Sequence, residues 1–296
     1  MKKDLFTESV RLSKVTKEVR DIFEMWNYKE IFLPTLEPYH EYLRKGLKTA
    51  TYDEFFLIKP DMTSQITANL KDRRKLRLFY LSEVLDGKSG EWQGGIEFIG
   101  GKKRQMDIEV LSVVITTLER LGISDFYVDI GSLGVWRDSI NDVPEYEEVI
   151  FDALKNRNFG LIEELNLGDE KIEELWDLFN FRGKTSGVEN IDDILRTMDD
   201  DRIFIDFGTV RPLPYYDDLI FEVYSPRLGY PLGAGGGYRV NSQVACGFAF
   251  KLKGLLSLYE SEMVEKKREE VAGDTKETYD KARAMVYRGK HIEVID

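Results

Sequence analysis

The chain has 296 residues, and its 42 Lys and Arg against 54 Asp and Glu give a formal net charge of −12 at pH 7. This acidic balance argues against a nucleic acid as the main partner, because proteins that bind polyanions present basic surfaces. A single cysteine, Cys246, excludes an intramolecular disulfide framework and a multi-cysteine zinc site, and His40 and His291 lie far apart. We therefore expect neither a metal site nor a cofactor.

A chain of this length can bury a substantial core as one large domain or two small ones. Its longest uncharged apolar runs fall short of the ~18 residues of a membrane span. The N-terminal residues lack the apolar stretch of a signal peptide. We expect a cytoplasmic globular protein that binds no membrane.

Hydrophobic periodicity predicts both helices and strands along the chain. Helices are predicted over residues 7–26, 62–70, 105–121, 260–271 and 275–287. Strands are predicted over residues 28–33, 55–59, 75–85, 95–99, 126–130, 203–207, 219–224, 244–250 and 291–295. Turn residues at 87–90 predict that the two strands on either side of them form an antiparallel pair.

The middle and the end of the chain differ from the rest. Short helical patterns separated by acids fill residues 132–200, which fits a helical insertion between sheet strands or a small separate helical domain. Five glycines in residues 229–237 predict a bend close to a ligand or a neighbouring strand. We predict an α+β fold, with a core domain over residues 1–254 and a charged helical extension over residues 255–296.

Two segments carry polar residues suited to a small ligand. Asp61, in the segment 59–63, can cap the following helix or hold a ligand ammonium group through a charge-assisted hydrogen bond. Gln93, Gly95 and Glu97 alternate along a strand and therefore share one face of the sheet. Gly95 leaves space between the amide and the carboxylate, so this face is either a ligand floor or an ordinary solvated surface.

Two further segments stand out. Residues 26–37 connect the first helix to a strand that stops at a proline. Arg211 offers a planar fork suited to a carboxylate or phosphate, and Tyr215 and Tyr216 offer hydroxyls on apolar rings. The glycines at 233–237 match neither a Gly-x-Gly-x-x-Gly turn nor a P-loop, which disfavours a dinucleotide-binding or P-loop fold.

In this order, the four segments resemble the catalytic core of histidyl-tRNA synthetase over about residues 8–254. Residues 26–37 resemble motif 1 of class II synthetases, a dimerisation element, and residues 93–100 resemble the end of motif 2. The Pro-Asp-Met-Thr sequence at 60–63 is similar to the Pro-Glu-Gly-Thr segment of that family, and the regulatory paralogue of the family has the same four residues. Residues 235–238 and 244–250 resemble the approach to motif 3.

Arg211, Tyr215 and Tyr216 keep the spacing of the histidine-recognition segment Arg-Gly-Leu-Asp-Tyr-Tyr. The resemblance implies a class II synthetase-like antiparallel sheet flanked by helices, with a helical insertion. It also implies a histidine-like pocket lined by Asp61, Thr63, Gln93, Glu97, Arg211, Tyr215 and Tyr216. In that pocket Asp61 and Gln93 would hold the ammonium group, Arg211 the carboxylate, and Glu97 or Tyr215 the imidazole. The alternative is an inherited pocket that is collapsed or filled by side chains.

The departures from the synthetase pattern concern the arginines that hold ATP. The place of the motif 2 arginine falls near residues 84–86, where Asp86 stands, and the place of the motif 3 arginine falls near Lys253. Lys251 or Lys253 could substitute only in part. Because adenylation depends on fixed positive charge at the phosphates, we expect no catalytic residues.

A synthetase-like core without these arginines resembles the regulatory subunit of ATP phosphoribosyltransferase. That family acts with a short-form catalytic subunit in the first step of histidine biosynthesis. The resemblance implies a dimer within a hetero-octamer and feedback inhibition with histidine as effector. Two alternatives are a diverged histidyl-tRNA synthetase or another amino-acid-activating ligase, and a stand-alone amino-acid-binding module.

Overall fold

The computed structural model describes residues 5–39, 46–85, 89–210, 216–260 and 268–295. The chain divides into two compact units, Met1–Tyr259 and Glu260–Asp296. The helices of the first unit are α1 Leu5–Met25, α2 Met62–Asn69, α3 Lys103–Arg120, α4 Leu133–Ser139, α5 Glu147–Lys155, α6 Gly160–Glu163, α7 Asp169–Asn180, α8 Glu189–Met198 and α9 Leu252–Leu258, with a 3-10 turn at Pro144–Tyr146.

The strands of the first unit are β1 Lys29–Glu30, β2 Leu36–Pro38, β3 Leu47–Ala50, β4 Phe55–Ile58, β5 Leu76–Leu85, β6 Gly90–Ile99, β7 Tyr127–Ser132, β8 Arg182–Gly183, β9 Ile203–Asp206, β10 Tyr216–Tyr224, β11 Gly233–Val240 and β12 Gln243–Lys251. The second unit contains β13 Glu269–Ala272, α10 Lys276–Tyr287 and β14 Ile292–Ile295, and its two strands pair in parallel.

A nine-stranded sheet organises the first unit in the order β1-β5-β6-β12-β11-β10-β7-β9-β8. Its pairs are antiparallel except β1 with β5 and β7 with β9. A smaller sheet has the order β2-β4-β3. The antiparallel sheet with flanking helices confirms the predicted fold class, and β5 with β6 forms the predicted antiparallel pair.

The two faces of the large sheet carry different side chains. One face packs apolar residues such as Phe79, Phe98 and Phe248 against α1 and α3, where Val19 and Val110 are fully buried. This burial supplies the hydrophobic stabilisation that holds the sheet to its helices. The opposite face carries smaller and more polar residues along the central strands, and we call it the polar face.

The insertion packs on the polar face through its own apolar cluster. Trp136 and Leu154 of the insertion are buried in that cluster together with Ile220 of β10. The indole nitrogen of Trp136 also donates a 2.7 Å hydrogen bond to the carbonyl of Phe207. The insertion is mostly helical, and it also contributes the short edge strand β8.

Three sequence predictions were wrong or too broad. The glycine-rich stretch after 229 is not only a bend, because residues from Gly233 onward form the central strand β11. Residues 269–272 form strand β13 instead of the end of a helix, so the tail is not purely helical. The predicted strand at 28–33 pairs with β5 only at Lys29–Glu30. None of the helices in the described part of the chain is long and apolar enough to cross a membrane.

Candidate ligand-binding site

A cavity of about 110 Å³ opens on the polar face, between the start of α2 and the strands β6, β11 and β12. Five of the seven predicted site residues line it, namely Asp61, Thr63, Gln93, Glu97 and Tyr216. Arg211 and Tyr215 lie outside the described residues, as does Asp86. The volume exceeds the ~10–15 Å³ that one water needs, so the described walls leave room for a small polar group.

Glu97 is the centre of this site. It is 1% exposed. The hydroxyl of Thr63 donates a 2.5 Å hydrogen bond to Glu97 Oε1, and the hydroxyl of Tyr238 donates one of 2.8 Å to Oε2. Burial raises the pKa of Glu97 to about 7, against the lowering effect of these two hydrogen bonds. Near neutral pH this carboxyl can therefore either accept a hydrogen bond from a ligand or donate one.

Two glycines in the walls of the cavity allow neighbouring side chains to lie directly against the backbone. A Cβ at Gly247 would overlap the Glu97 carboxylate and lie 2.6 Å from its Cδ. A Cβ at Gly95 would lie 2.8 Å from Cε1 of Tyr80. The space that the sequence predicted above Gly95 is thus occupied by the Tyr80 ring, which lines the cavity.

Asp61 has the first of the two roles that the sequence left open, that of a helix cap. Its Oδ2 accepts hydrogen bonds from the amide of Ser64 at 3.1 Å and from the Ser64 hydroxyl at 2.5 Å, so it caps α2. It also lines the cavity. Because the cap fixes the first turn of α2, it also fixes the place of Thr63 beside Glu97.

A second polar network connects α2 to the segment that contains Pro34 and Glu37. Gln65, which is 1% exposed, donates hydrogen bonds of 2.8 Å to Glu37 Oε2 and 2.9 Å to the carbonyl of Pro34. Asn69 donates a 3.0 Å hydrogen bond to Glu37 Oε1. The segment that resembles motif 1 is therefore bonded directly to the helix that begins at the cavity.

Positive charge is sparse among the described residues of the site. Lys251 is the only cation among the described residues that line the cavity. Cross-strand pairing of Gln93 with Ser82 and of Gly95 with Tyr80 places Ser82 and Tyr80 on the polar face of β5. Strand β5 thus presents uncharged side chains toward the cavity. Lys251 is the one described side chain there that could neutralise a phosphate group.

Sequence reasoning missed two residues of this site. Tyr80 and Tyr238 are both buried, which raises their pKa values well above the ordinary value of a tyrosine. The resemblance to the approach to motif 3 includes Tyr238, but nothing in the sequence pairs this tyrosine with Glu97. Its register against Ala245 of β12 places it diagonally across from the carboxylate, and that register requires β11 to be a strand. No group of three or more His, Cys, Asp or Glu side chains in the described ranges is arranged to hold a metal ion.

Comparisons with known proteins agree with this fold. The family model described as histidyl-tRNA synthetase matches residues 3–255. The chain is 27% identical to the ATP phosphoribosyltransferase regulatory subunit of Desulforamulus reducens, over 80% of this chain and 71% of that protein. It is 28% identical to the histidine–tRNA ligase of Methanocaldococcus jannaschii, over 80% of this chain and 67% of that protein.

A solved structure titled ATP phosphoribosyl transferase (HisG:HisZ) complex from Thermotoga maritima has the same fold. The TM-score is 0.68 at 19% identity, over 80% of this chain and 96% of that one. The resemblance to regulatory subunits that the four sequence segments predicted is therefore found in the comparisons as well. Since the family model covers the whole of the large sheet and its insertion, the chain belongs to the histidyl-tRNA synthetase family.

Proposed function

We propose that this protein is the regulatory subunit of an ATP phosphoribosyltransferase and acts with a separate short-form catalytic chain. The observation that carries the proposal is the charge of the cavity, where Lys251 is the only described cation and Glu97 is buried. The described lining, with one lysine against the carboxylates of Asp61 and Glu97, suits a small amino acid better than the phosphates of ATP, because adenylation requires fixed positive charge. The similarity to regulatory subunits supports the same conclusion.

In this proposal the chain has no catalytic activity of its own. The partner chain joins ATP to phosphoribosyl pyrophosphate. In the proposed hetero-octamer, two regulatory dimers combine with four catalytic chains. The complex would be cytoplasmic, because both substrates of the reaction are.

Histidine is the proposed effector, and the cavity is its proposed binding site. The carboxylate of Asp61, which also caps α2, and the side-chain amide of Gln93 would hold the ammonium group, and Arg211 would hold the carboxylate. Glu97, with a pKa of about 7, can pair with either protonation state of an imidazole nitrogen. Tyr216 lines the same cavity, and Tyr215 precedes it in the sequence.

The test is reconstitution with a purified short-form catalytic subunit. We expect phosphoribosyl-ATP formation in the mixture, none by this chain alone, and inhibition of the mixture by histidine. Calorimetry with histidine on the wild type, Glu97→Ala and Arg211→Ala then locates the effector. Loss of one charge-assisted contact should weaken binding by about tenfold or more. Equal affinity in all three proteins would place the histidine sensor elsewhere.

A second candidate is a diverged histidyl-tRNA synthetase. It is favoured by the match to a histidine–tRNA ligase and by the five predicted side chains that meet at the cavity. Histidine-dependent exchange of pyrophosphate into ATP by the pure chain separates the two functions. Robust exchange would replace the regulatory proposal with this one.

A further inference from the structure

Exposed cations gather at one end of the large sheet, where four neighbouring strands begin or end. Strand β5 begins there after α2, β6 ends there before α3, and β11 turns into β12. Asp72 is the only acid in the three segments that meet at this end, residues 70–75, 100–102 and 239–243. We call the exposed cations of these segments the basic patch, and they are Lys71, Arg73, Arg74, Lys75, Lys102 and Arg239.

The acids of the chain lie elsewhere. The insertion, residues 132–200, has 18 acids against seven basic residues, so it accounts for nearly all of the net charge of −12. Among the described residues, no acid forms an ion pair with Lys71, Arg73, Arg74 or Lys102. A second cavity, of about 900 Å³ at the end of α5, is lined by acids as well as cations and shows no such surplus. The basic patch is therefore a local excess of positive charge on an acidic protein.

Hydrogen bonds tie the three segments of the basic patch together. The side-chain amide of Asn241 donates to the carbonyl of Leu70. The backbone amide of Arg74 donates a 3.1 Å hydrogen bond to Gln243 Oε1, and Gln243 Nε2 donates one of 3.3 Å to the carbonyl of Arg74. A Cβ at Gly100 would lie 2.7 Å from that carbonyl oxygen. The fold thus holds these like charges side by side although they repel one another.

The start of α3 adds to this positive charge. Lys102 is the N-cap of α3 and makes no side-chain cap, and the first turn contains no acid. The N-terminal end of a helix carries partial positive charge and favours acids, so a cation there is unfavourable. Lys103 and Arg104 are paired with Asp107 and Asp193, whereas no such pair neutralises Lys102. Local sequence that opposes stability in this way is typical of a surface kept for binding.

We propose that the basic patch binds a short acidic segment of another protein. Carboxylates of that segment pair with the lysines and arginines of the patch and with the positive end of α3. The four strand ends span about 14 Å, because neighbouring strands lie about 4.8 Å apart. That distance corresponds to roughly four residues of extended chain.

A nucleic acid fits the basic patch less well. A polynucleotide extends beyond the patch, and its phosphates would meet the acidic remainder of the protein. Residues 70–75, 100–102 and 239–243 contain no aromatic residue, so bases would find no stacking surface there. The inference is independent of the proposed regulatory function, because it uses neither cavity and does not require the catalytic chain.

Calorimetry on the full chain at low ionic strength tests the proposal, with an octaglutamate peptide as the probe. We expect binding that weakens as salt is added, because exposed charges are screened. Arg73→Glu/Arg74→Glu should weaken the binding by about tenfold or more. Lys102→Glu should also weaken it while raising the unfolding midpoint, since an acid is favourable at the start of a helix.

Arg120→Glu/Lys155→Glu is the matched control. It makes the same change in net charge at two exposed residues, and Arg120 lies at the opposite end of the 18-residue helix α3. We expect this control to keep the affinity of the wild type within about threefold. The sedimentation of Arg73→Glu/Arg74→Glu should equal that of the wild type.

Four results would overturn the proposal. The first is no binding of the peptide at millimolar concentration. The second is equal weakening by Arg73→Glu/Arg74→Glu and the control, which would reduce the effect to net charge. The third is tighter binding of an octauridylate than of the peptide, which would make the patch a nucleic-acid site. The fourth is loss of self-association in Arg73→Glu/Arg74→Glu, which would assign the patch to a second copy of this chain. Because none of these measurements involves the catalytic partner, failure here is distinct from failure of reconstitution.

Discussion

The hydroxyl of Tyr238 donates a 2.8 Å hydrogen bond to Glu97 Oε2, although their strands β11 and β6 are separated by β12. The contact is possible because β12 carries Gly247 opposite Glu97. A Cβ at Gly247 would occupy the space of the carboxylate. Three neighbouring strands therefore cooperate to place one buried acid at the cavity.

The first prediction concerns the fit at Gly247. Gly247→Ala should lower the free energy of unfolding by about 1–3 kcal/mol, because the added methyl overlaps a buried carboxylate held by two hydrogen bonds. Urea unfolding measures the change. Gly168→Ala is the matched control, since a Cβ there meets nothing within 4 Å. Equal stability of Gly247→Ala and the control would show that Glu97 does not occupy this position.

The second prediction is a pH dependence that originates in Glu97. Burial raises the pKa of Glu97 from its ordinary value of 4.5 to about 7, so the native state binds this proton more tightly than the unfolded chain. The resulting stabilisation is complete below pH 4.5 and is lost as the pH rises through about 7. Relative to Glu97→Gln, the wild type should lose on the order of 3 kcal/mol across that interval.

Unfolding of both proteins at a series of pH values between 4.5 and 8 checks this sign. The comparison with Glu97→Gln removes the contributions of the other titrating groups, since both proteins share them. A difference that stays constant with pH, or grows in the opposite direction, would contradict a raised pKa for Glu97.

The third prediction concerns Glu37. In Glu37→Gln an amide group must face the amide donors of Gln65 and Asn69, so at least one buried donor loses its acceptor. We expect a loss of about 1–3 kcal/mol in the free energy of unfolding. Glu54→Gln, an exposed change in the same region, should stay within about 0.5 kcal/mol of the wild type. If the two variants are equally stable, the network does not hold α2.

The fourth prediction is self-association through the segment that resembles motif 1. Phe32 is 84% exposed there, and Phe55 of the neighbouring small sheet is 73% exposed. Apolar side chains this exposed favour burial against a second copy. Sedimentation should show a dimer at micromolar concentration and a weaker one for Phe32→Asp. Tyr287→Asp, which changes a residue 90% exposed in the second unit, should leave the dimer intact. A monomeric wild type would refute the prediction.

Helix α3 and strand β6 could be predicted because their hydrophobic patterns are long and involve residues that are close in sequence. Helix α3 repeats apolar residues at helical spacing and ends at Arg120, and Gly122, just after the C-cap Leu121, has a positive φ of 74°. The alternation of Gln93 and Glu97 along β6 placed both side chains at the cavity, as their spacing predicts.

Strand β11 could not be predicted, because glycines are rare in strands and usually indicate turns. In β11 the glycines are needed because a side chain at these positions would collide with neighbouring strands. A Cβ at Gly235 would lie 2.9 Å from Phe221 Cζ, and the rings of Phe221 and Phe248 stack with centroids 5.4 Å apart. The reason for the glycines thus lies in neighbouring strands that are distant in sequence.

Strand β13 was missed for a related reason. Residues 269–272 begin with two glutamates and have helical propensity, yet they pair in parallel with β14, whose residues follow 23 positions later. Long-range pairing overrides local propensity in such short segments. The tyrosines of the first cavity were missed because their role depends on the register of these strands across the sheet.

The hydrogen bonds from Gln65 to Glu37 and Pro34 join helix α2, which begins at the first cavity, to the segment that resembles motif 1. A ligand that favoured one position of Thr63 would, through these hydrogen bonds, also favour one position of α2 and of the segment around Phe32. If that segment joins two copies, effector binding and subunit association are thermodynamically linked. By reciprocity, the factor by which association tightens effector binding must equal the factor by which the effector tightens association.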